Sequence, residues 1–341
     1  MKLATGAAIL MLIGAIPAAS RAGMPALAAA AKCPEFDAPT VRGRLASKKI
    51  DEASGIAASR RNKGVFYVHN DSGDRPRFYA IDENGRDLGR YLLKGIVSND
   101  WEDMAVGGAA DHEGSFIYFG DIGDNSRERS TVDIIRIPEP AVDLHRKVGK
   151  QELKGAIVLT VQFPGGIAHN SETLLLDPDT YDLYIITKVR RGESKIFRYP
   201  APHDPTKVVV LEEVGSAQFG TNKLPGANQL TGGDIAPERN QIILRTYSQV
   251  LVWKREPGNT IAETLTKPAC LILRHTEPQG EAIAWTLDGS TYVTVSEGAY
   301  PPLFFSTQRP EVYVPPGEAA HEQELPLPDQ NCEFVDGECT S

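Results

Sequence analysis

The chain has 341 residues, of which 36 are Lys or Arg and 45 are Asp or Glu, so its formal net charge at pH 7 is −9. An acidic protein repels phosphate backbones, and nucleic acid is therefore excluded as an expected partner. This length suffices for one large core or for two domains, and the even spacing of strand-like segments favours a single domain.

Residues 1–31 have the character of a secretory signal peptide. Lys2 precedes an apolar, Ala-rich stretch at residues 3–19, and small residues that suit a cleavage site follow it. This stretch is too short for a membrane span, and no later segment is apolar enough to be one. We therefore expect a secreted protein, periplasmic or extracellular, without a membrane partner. A lipid anchor on Cys33 is the alternative.

A short acidic-to-apolar phrase recurs five times after the signal segment. The phrases are EASGIA from Glu52, DWEDMA from Asp100, NSETLL from Asn170, TGGDIA from Thr231 and QGEAIA from Gln279. Aligning Ser54, Glu102, Glu172, Gly233 and Glu281 gives intervals of 48, 70, 61 and 48 residues. Each phrase precedes short runs rich in Val, Ile, Tyr, Phe and Thr, which are typical of β-strands. Repeats of this length predict the blades of a β-propeller.

The number of runs predicts an all-β fold with five blades of four strands. A fourth run separates consecutive phrases at residues 89–96, 156–163, 207–214 and 269–275. The remaining run is residues 41–47, so the N-terminal strand is expected to complete the last blade and close the ring, which removes exposed sheet edges. A six-bladed ring is the alternative if residues 138–156, interpreted as a polar loop, contain a further repeat.

The predicted domain organisation is a signal peptide at residues 1–31, a propeller at residues 32–314 and a Pro- and Glu-rich tail at residues 315–341. Four cysteines follow the signal segment: Cys33, Cys270, Cys332 and Cys339. An even number in an exported chain predicts disulfides. We expect the pairs Cys33–Cys270 and Cys332–Cys339, with free buried thiols as the alternative.

The first strand of each blade lines the channel of a propeller, so the starts of the five phrases are expected to meet at one mouth. Carboxylates crowded there cannot all ionise unless a positive charge lies among them. Hard oxygen donors of this kind favour calcium. The predicted ligands are Ser54, Glu102, Glu172, Asp234 and Glu281. The alternative is that these acids cap inner strands or pair with Lys and Arg.

This order of inner-strand residues resembles that of the calcium-activated nucleotidase (apyrase) family. In that family a calcium ion lies in the central tunnel of a five-bladed propeller, and the enzymes hydrolyse nucleoside di- and triphosphates. The resemblance implies that Asp100, next to Glu102, also belongs to the ligand set. The fourth blade departs from the pattern, because Thr231–Asp234 stands where the family has serines. The phrases also look like those of bacterial secreted propeller proteins without an assigned activity.

Four polar residues near this mouth are candidates for catalysis. His69 and Asp71 end the second run of the first blade, where His69 would act as a base, although such a string is also typical of a turn. Lys188 and Arg245 end the second runs of later blades, where they would hold an anion bridged to the metal. Solvated loop charges are the alternative.

These residues predict a monomeric, calcium-dependent hydrolase acting on a small anionic substrate of the phosphoester type. The rival interpretation is a non-catalytic propeller that binds a protein or a glycan and holds its calcium for structure. An open pocket among the reactive side chains would favour the enzyme, and a filled channel would favour the binding protein.

Overall fold

The computed structural model describes residues 33–238, 240–272 and 277–310, together with the backbone of residues 333–335 and 338–340. The predicted signal peptide and most of the predicted tail lie outside the described residues, and so does the expected Cys332–Cys339 pair. Cys33 and Cys270 are both disulfide-bonded, which confirms the pairing expected for them. Among the described residues, no helix has the length and apolar character needed to cross a membrane.

Five sheets form a five-bladed β-propeller, as the repeats predicted. The chain begins with β1 (Thr40–Arg44) and then forms the first blade with β2 (Ala53–Ala58), β3 (Val65–Asn70), β4 (Arg77–Asp82) and β5 (Asp87–Leu93). The second blade comprises β6 (Trp101–Ala109), β7 (His112–Asp121), β8 (Val132–Pro138), and, after β9 (Lys150–Leu153), β10 (Ile157–Gln162). A 3-10 helix at Pro164–Gly166 leads out of it.

The third blade comprises β11 (Ser171–Leu176), β12 (Leu183–Thr187), β13 (Ser194–Tyr199), and, after β14 (Val209–Val210), β15 (Glu212–Ala217). The fourth comprises β16 (Leu230–Ile235), β17 (Gln241–Thr246), β18 (Val250–Lys254) and, after the helix α1 (Ile261–Leu265), β19 (Cys270–Ile272). The fifth comprises β20 (Gly280–Trp285), β21 (Thr291–Ser296), β22 (Pro302–Thr307) and β1. A separate hairpin is formed by β23 (Glu333–Val335) and β24 (Glu338–Thr340).

The N-terminal strand closes the ring. β1 pairs antiparallel with β22, so that Thr40 lies opposite Phe305 and Arg44 lies opposite Pro302. Phe36 extends the closure, because it bridges to Gln308 and its ring packs edge-on against Tyr292 at 5.2 Å. The prediction that residues 41–47 complete the last blade is therefore confirmed, with the strand beginning one residue earlier.

Two blades carry a fifth strand that the sequence did not predict for them. β9 pairs in parallel with β5, and β14 pairs in parallel with β10. β14 lies in the run 207–214 that was predicted to be the fourth strand of the third blade, and in the structure β15 takes that place. β9 lies within residues 138–156, which the sequence analysis interpreted as a polar loop. The exposed pattern of β9 explains the error, since a short strand that covers a sheet edge keeps polar side chains in solvent.

The hydrophobic core is divided among the interfaces between blades. Among the described residues, five clusters of buried apolar side chains each join two neighbouring sheets, and together they run round the ring. At the interface of blades one and two, the rings of Trp101 and Phe119 stack at 4.5 Å. The five inner strands β2, β6, β11, β16 and β20 contact one another in that order round the axis.

Candidate functional site

A β-bulge occurs at the same place in every inner strand. In each sheet the pairing of the first strand with the second skips one residue, and the skipped residues are Ser54, Glu102, Glu172, Thr231 and Glu281. All five are buried. A bulge leaves its extra residue outside the ladder and changes the direction of its side chain. The recurring position in the sequence is therefore the bulge, and it brings these five side chains to one end of the channel.

The fourth blade uses Thr231 at this position, whereas the sequence analysis had aligned Gly233 or Asp234 with the other acids. Asp234 lies three residues further along β16. Its carboxylate accepts the backbone N–H groups of Ile235 and Trp285, both at 2.8 Å. The alignment of the fourth blade was wrong because it followed Asp234, the only acid in that phrase. The position of the bulge depends instead on the backbone pairing of the sheet.

Two of the bulges are tied to the next bulge along the ring. The Ser54 hydroxyl donates to the backbone carbonyl of Glu102 at 2.6 Å. The Thr231 hydroxyl donates to the backbone carbonyl of Glu281 at 3.0 Å. The small hydroxyl residues of blades one and four thus hold the acidic bulges of blades two and five in place.

Below the bulges, a buried carboxylate crosses the centre of the ring. Asp103 on β6 accepts the backbone N–H groups of Leu174 on β11 at 3.0 Å and Gly233 on β16 at 3.1 Å. Inner strands have an unpaired edge towards the axis, and this side chain supplies acceptors that the edge otherwise lacks. Burial raises the pKa of Asp103 well above its ordinary range, and burial likewise raises the pKa of Asp234. The channel is therefore occupied by protein carboxylates at this depth.

Three carboxylates converge above this level, between blades one and two. Oxygen atoms of Asp71, Asp100 and Glu102 all lie within 4.8 Å of one another. Asp71 follows the end of β3, Asp100 immediately precedes β6, and Glu102 is the bulged residue of β6. Burial raises the pKa of Asp100 to about 6, and the nearby charge of Asp71 adds to the effect. Burial and then the charge of Glu172 raise the pKa of Glu102 well above its ordinary range.

The backbone after β7 makes room for these carboxylates. A Cβ atom at Gly123 would lie 2.2 Å from Glu102 Oε1 and 2.4 Å from Asp100 Oδ2. The surrounding loop is fixed by Asp121, which accepts the Asp100 N–H at 3.1 Å and forms an ion pair with Arg129 at 2.9 Å. The absence of a side chain at position 123 is thus a condition for the close approach of the two acids.

Lys188 brings a positive charge to this mouth. Its ammonium group forms an ion pair with Glu172 and donates to the Tyr247 hydroxyl at 2.8 Å. Burial lowers the pKa of Lys188, but the charge of Glu172 and the hydrogen bonds to Glu172 and Tyr247 together outweigh that effect and hold the pKa above its ordinary value. Burial raises the pKa of Glu172 to about 7 even though Lys188 lowers it. Burial, with the charge of Glu172, raises the pKa of Glu281 to about 8.

Two of the predicted catalytic residues lie in the interior. The His69 side chain has no exposed surface, and its ring packs edge-on against Trp101 at 5.5 Å and against Phe119 at 5.9 Å. Its Nδ1 lies 2.9 Å from the Asn70 carbonyl, and burial lowers its pKa. A histidine with this environment packs one blade against the next and has no access to solvent.

Arg245 is also engaged inside the protein. Its guanidinium forms an ion pair with Glu277, and both side chains are almost completely buried. A Cβ atom at Gly280 would overlap this guanidinium, so the glycine makes space for the pair. Glu277 precedes the fifth phrase and was not singled out from the sequence, since nothing local marks it as the partner of a residue 32 positions earlier.

The comparisons with known proteins leave the family open. No family model matches the chain, and no curated protein matches it. Among solved structures, the chain is similar to the PQQ-bound form of aldose sugar dehydrogenase from Streptomyces coelicolor, with 12% identity, a TM-score of 0.42, and coverage of 81% of this chain and 100% of that chain. A likeness at this level carries no argument about function. The resemblance to calcium-activated nucleotidases has no support from these comparisons.

Proposed function

We propose that this propeller binds one calcium ion through Asp71, Asp100 and Glu102 and acts as a metal-assisted hydrolase of a small anionic molecule of the phosphoester type. The observation that carries the proposal is the approach of three carboxylates to within 4.8 Å at the mouth of the channel. Like charges at this distance repel one another, and a divalent cation between them removes the repulsion.

The donors in this cluster fit calcium. All three are carboxylates, and calcium takes about six to eight oxygen ligands at flexible geometry, which leaves positions for water and for a substrate oxygen. Thiolate and imidazole, which would favour zinc, are absent from this cluster. The proposal retains Asp100 and Glu102 from the predicted ligand set and adds Asp71, which the sequence analysis had placed among the catalytic residues.

The other predicted ligands have partners of their own. Glu172 pairs with Lys188, Asp234 accepts backbone N–H groups, and the Ser54 hydroxyl donates to a carbonyl. We assign these residues the task of positioning the cluster. Glu281 belongs to the same mouth without a place in the proposed ligand set, and burial raises its pKa, which favours its protonated form.

In the proposed reaction, Asp71, Asp100 and Glu102 would hold the calcium, which would supply Lewis acidity towards an anionic substrate oxygen and a water. Lys188 would add positive charge on the other side of the mouth, since its ammonium group is already held there by Glu172 and Tyr247. As the water bonds to phosphorus and the bond to the leaving oxygen breaks, Glu281 would give that oxygen a proton, and the proton lost by the water would pass to solvent at the rim. The disulfide-bonded Cys33 and Cys270 support the expectation of an oxidising, extracytoplasmic compartment.

One observation favours the rival function, a binding propeller whose calcium is structural. Asp103 joins three inner strands across the axis, so the channel does not continue below the bulges as an open cavity. His69 and Arg245 are buried as well, and the enzymatic interpretation therefore depends on the residues at the rim alone.

Calcium titration of thermal unfolding tests the metal site. A ligand that binds only the folded state stabilises it by about 2.7 kcal/mol at a concentration of about 100 times Kd. We expect the melting temperature to rise with calcium and to fall in chelator, and Asp100→Asn to lose most of the response. Glu238→Gln, which removes an equal charge from an exposed side chain, is the matched control. An unchanged melting temperature in chelator would contradict the site.

A phosphoester panel, assayed with calcium and with chelator, separates the two functions. Turnover that needs calcium and is lost in Asp100→Asn supports the hydrolase. A normal calcium response without turnover on any ester leaves the binding propeller as the better interpretation.

A further inference from the structure

A cavity of about 290 Å³ lies between blades three and four on the same face as the carboxylates. One wall is formed by Val189, Arg190, Arg191, Gly192 and Ser194, in the segment that begins directly after Lys188. The opposite wall is drawn from residues 218–228, which lead into β16 and its bulge at Thr231. The cavity therefore opens beside the mouth, next to the residue that carries its positive charge.

The charged groups that line this cavity are all cations. They are Arg190, Arg191 and Lys223, and each is exposed. No carboxylate lines the cavity, and within the described parts of the chain none forms an ion pair with these three residues. The field inside the cavity attracts anions.

The wall formed by residues 218–228 is held in a defined shape. The Asn222 N–H donates to Asn228 Oδ1 at 3.0 Å, and Asn228 Nδ2 donates back to the Asn222 carbonyl at 2.9 Å. Gln249, which is buried, accepts the Thr221 N–H at 2.7 Å. Phe219 is buried in the core at the base of the loop. Lys223 is thus presented by a braced segment, which reduces the entropy lost when an anion binds.

We propose that this cavity holds a phosphate group of the substrate other than the one that is hydrolysed, while the scissile phosphoester lies towards the carboxylate cluster; this assignment rests on the function proposed above. The guanidinium group of arginine makes bidentate hydrogen bonds to phosphate oxygens, and the ammonium group of lysine adds a point charge. The volume of about 290 Å³ lies just below the range of about 300–1,000 Å³ for ligand pockets, so the cavity suits a charged group and its nearest atoms.

The test uses the full secreted chain and inorganic phosphate as the probe. Phosphate binding is measured calorimetrically in chelator, with chloride at matched ionic strength as the reference. The triple variant Arg190→Ala, Arg191→Ala, Lys223→Ala is expected to bind phosphate at least about 10-fold more weakly, since each lost charge-assisted contact is worth a tenfold change or more. Its melting temperature is recorded to show that it folds.

The matched control is Lys63→Ala, Lys94→Ala, Lys154→Ala, which removes three exposed positive charges elsewhere. The control is expected to bind phosphate like the unsubstituted protein. Equal affinities of the two triple variants, or no saturable phosphate binding by the unsubstituted protein, would overturn the proposal. Arg190→Lys, Arg191→Lys keeps the charge and should recover only part of the affinity.

The Asp100→Asn protein separates this proposal from the proposed function. Its phosphate affinity in chelator should equal that of the unsubstituted protein, because the cavity binds phosphate without calcium. If calcium binding or turnover fails while phosphate binding still depends on the three cations, the cavity assignment stands and the hydrolase does not. If turnover succeeds and phosphate binding does not depend on the three cations, the hydrolase stands and the cavity assignment does not.

Discussion

The hydroxyl of Ser54 donates a 2.6 Å hydrogen bond to the backbone carbonyl of Glu102, the bulged residue of the neighbouring blade. This contact joins two irregularities that occupy equivalent places in the fold. Bulged backbone has fewer ladder partners than regular strand, and its carbonyls need hydrogen-bond donors from elsewhere. The recurrence of the arrangement at Thr231 and Glu281 indicates that the small hydroxyl residues of blades one and four each precede an acidic bulge for a structural reason.

Replacement of Ser54 by Ala should therefore lower both stability and calcium affinity. Loss of the hydroxyl leaves a buried carbonyl without its donor, which costs about 1–3 kcal/mol. Glu102 would also be less firmly positioned for the metal. Urea denaturation in chelator measures the first effect, and calcium titration measures the second.

The matched control for this substitution is Thr231→Val, which removes the equivalent hydrogen bond to Glu281. It should cause a comparable loss of stability and leave calcium affinity unchanged, because Glu281 is outside the proposed ligand set. Equal calcium affinities of the Ser54 and Thr231 variants would mean that the first hydrogen bond has no role at the metal site.

Gly123→Ala should weaken calcium binding with little change in the fold. The new Cβ would come within 2.2 Å of Glu102 Oε1, and both that atom and Asp100 Oδ2 belong to flexible side-chain ends that can move away. Their separation destroys the converging geometry, so we expect at least about a 10-fold loss of calcium affinity, equivalent to about 1.4 kcal/mol. Titration of the melting temperature measures it.

Gly149→Ala is the control, since a Cβ there meets nothing within 4 Å. It should bind calcium like the unsubstituted protein. A full calcium response in Gly123→Ala would show that the ion does not lie between Asp100 and Glu102.

The repeats allowed the blade number and the ring closure to be predicted because both follow from the count of strands. The carboxylate cluster was only partly predictable. Glu102 was identified from its phrase, whereas the role of Asp71 depends on how the loop after β3 turns towards β6. The equivalence of Thr231 depends on backbone register, and the partner of Arg245 depends on contact between separate elements. Neither leaves a local signal in the sequence.

The pH dependence of stability should change in Glu281→Gln. In chelator, burial and the charge of Glu172 raise the pKa of Glu281 to about 8, from an ordinary value of 4.5. The protonated form is favoured in the folded state, so the stabilisation is fully present below pH 4.5 and is lost as pH rises through about 8. Lys188 and Arg245 oppose this effect, and Glu297 adds to it.

Glutamine carries no titrating proton, and the variant should therefore lose less stability between pH 4.5 and pH 8. Since one pKa unit corresponds to about 1.4 kcal/mol, the rise from 4.5 to about 8 sets an upper limit of about 5 kcal/mol on how much less stability the variant loses over this range than the unsubstituted protein. Urea denaturation across this range measures the difference, with Glu238→Gln as the control. Parallel pH profiles of Glu281→Gln and the unsubstituted protein would contradict the raised pKa of Glu281.

Arg245→Met tests whether the buried arginine is structural. The substitution leaves the Glu277 carboxylate in the interior without the guanidinium, and breaking a buried pair in this way costs about 3–5 kcal/mol. The double variant Arg245→Met, Glu277→Gln removes both charges, keeps an oxygen for the Thr294 hydroxyl, and should recover most of the lost stability. Denaturation of the two variants and of Glu277→Gln completes a double-mutant cycle. Stability equal to that of the unsubstituted protein in Arg245→Met, combined with weaker turnover, would restore Arg245 to the list of catalytic candidates.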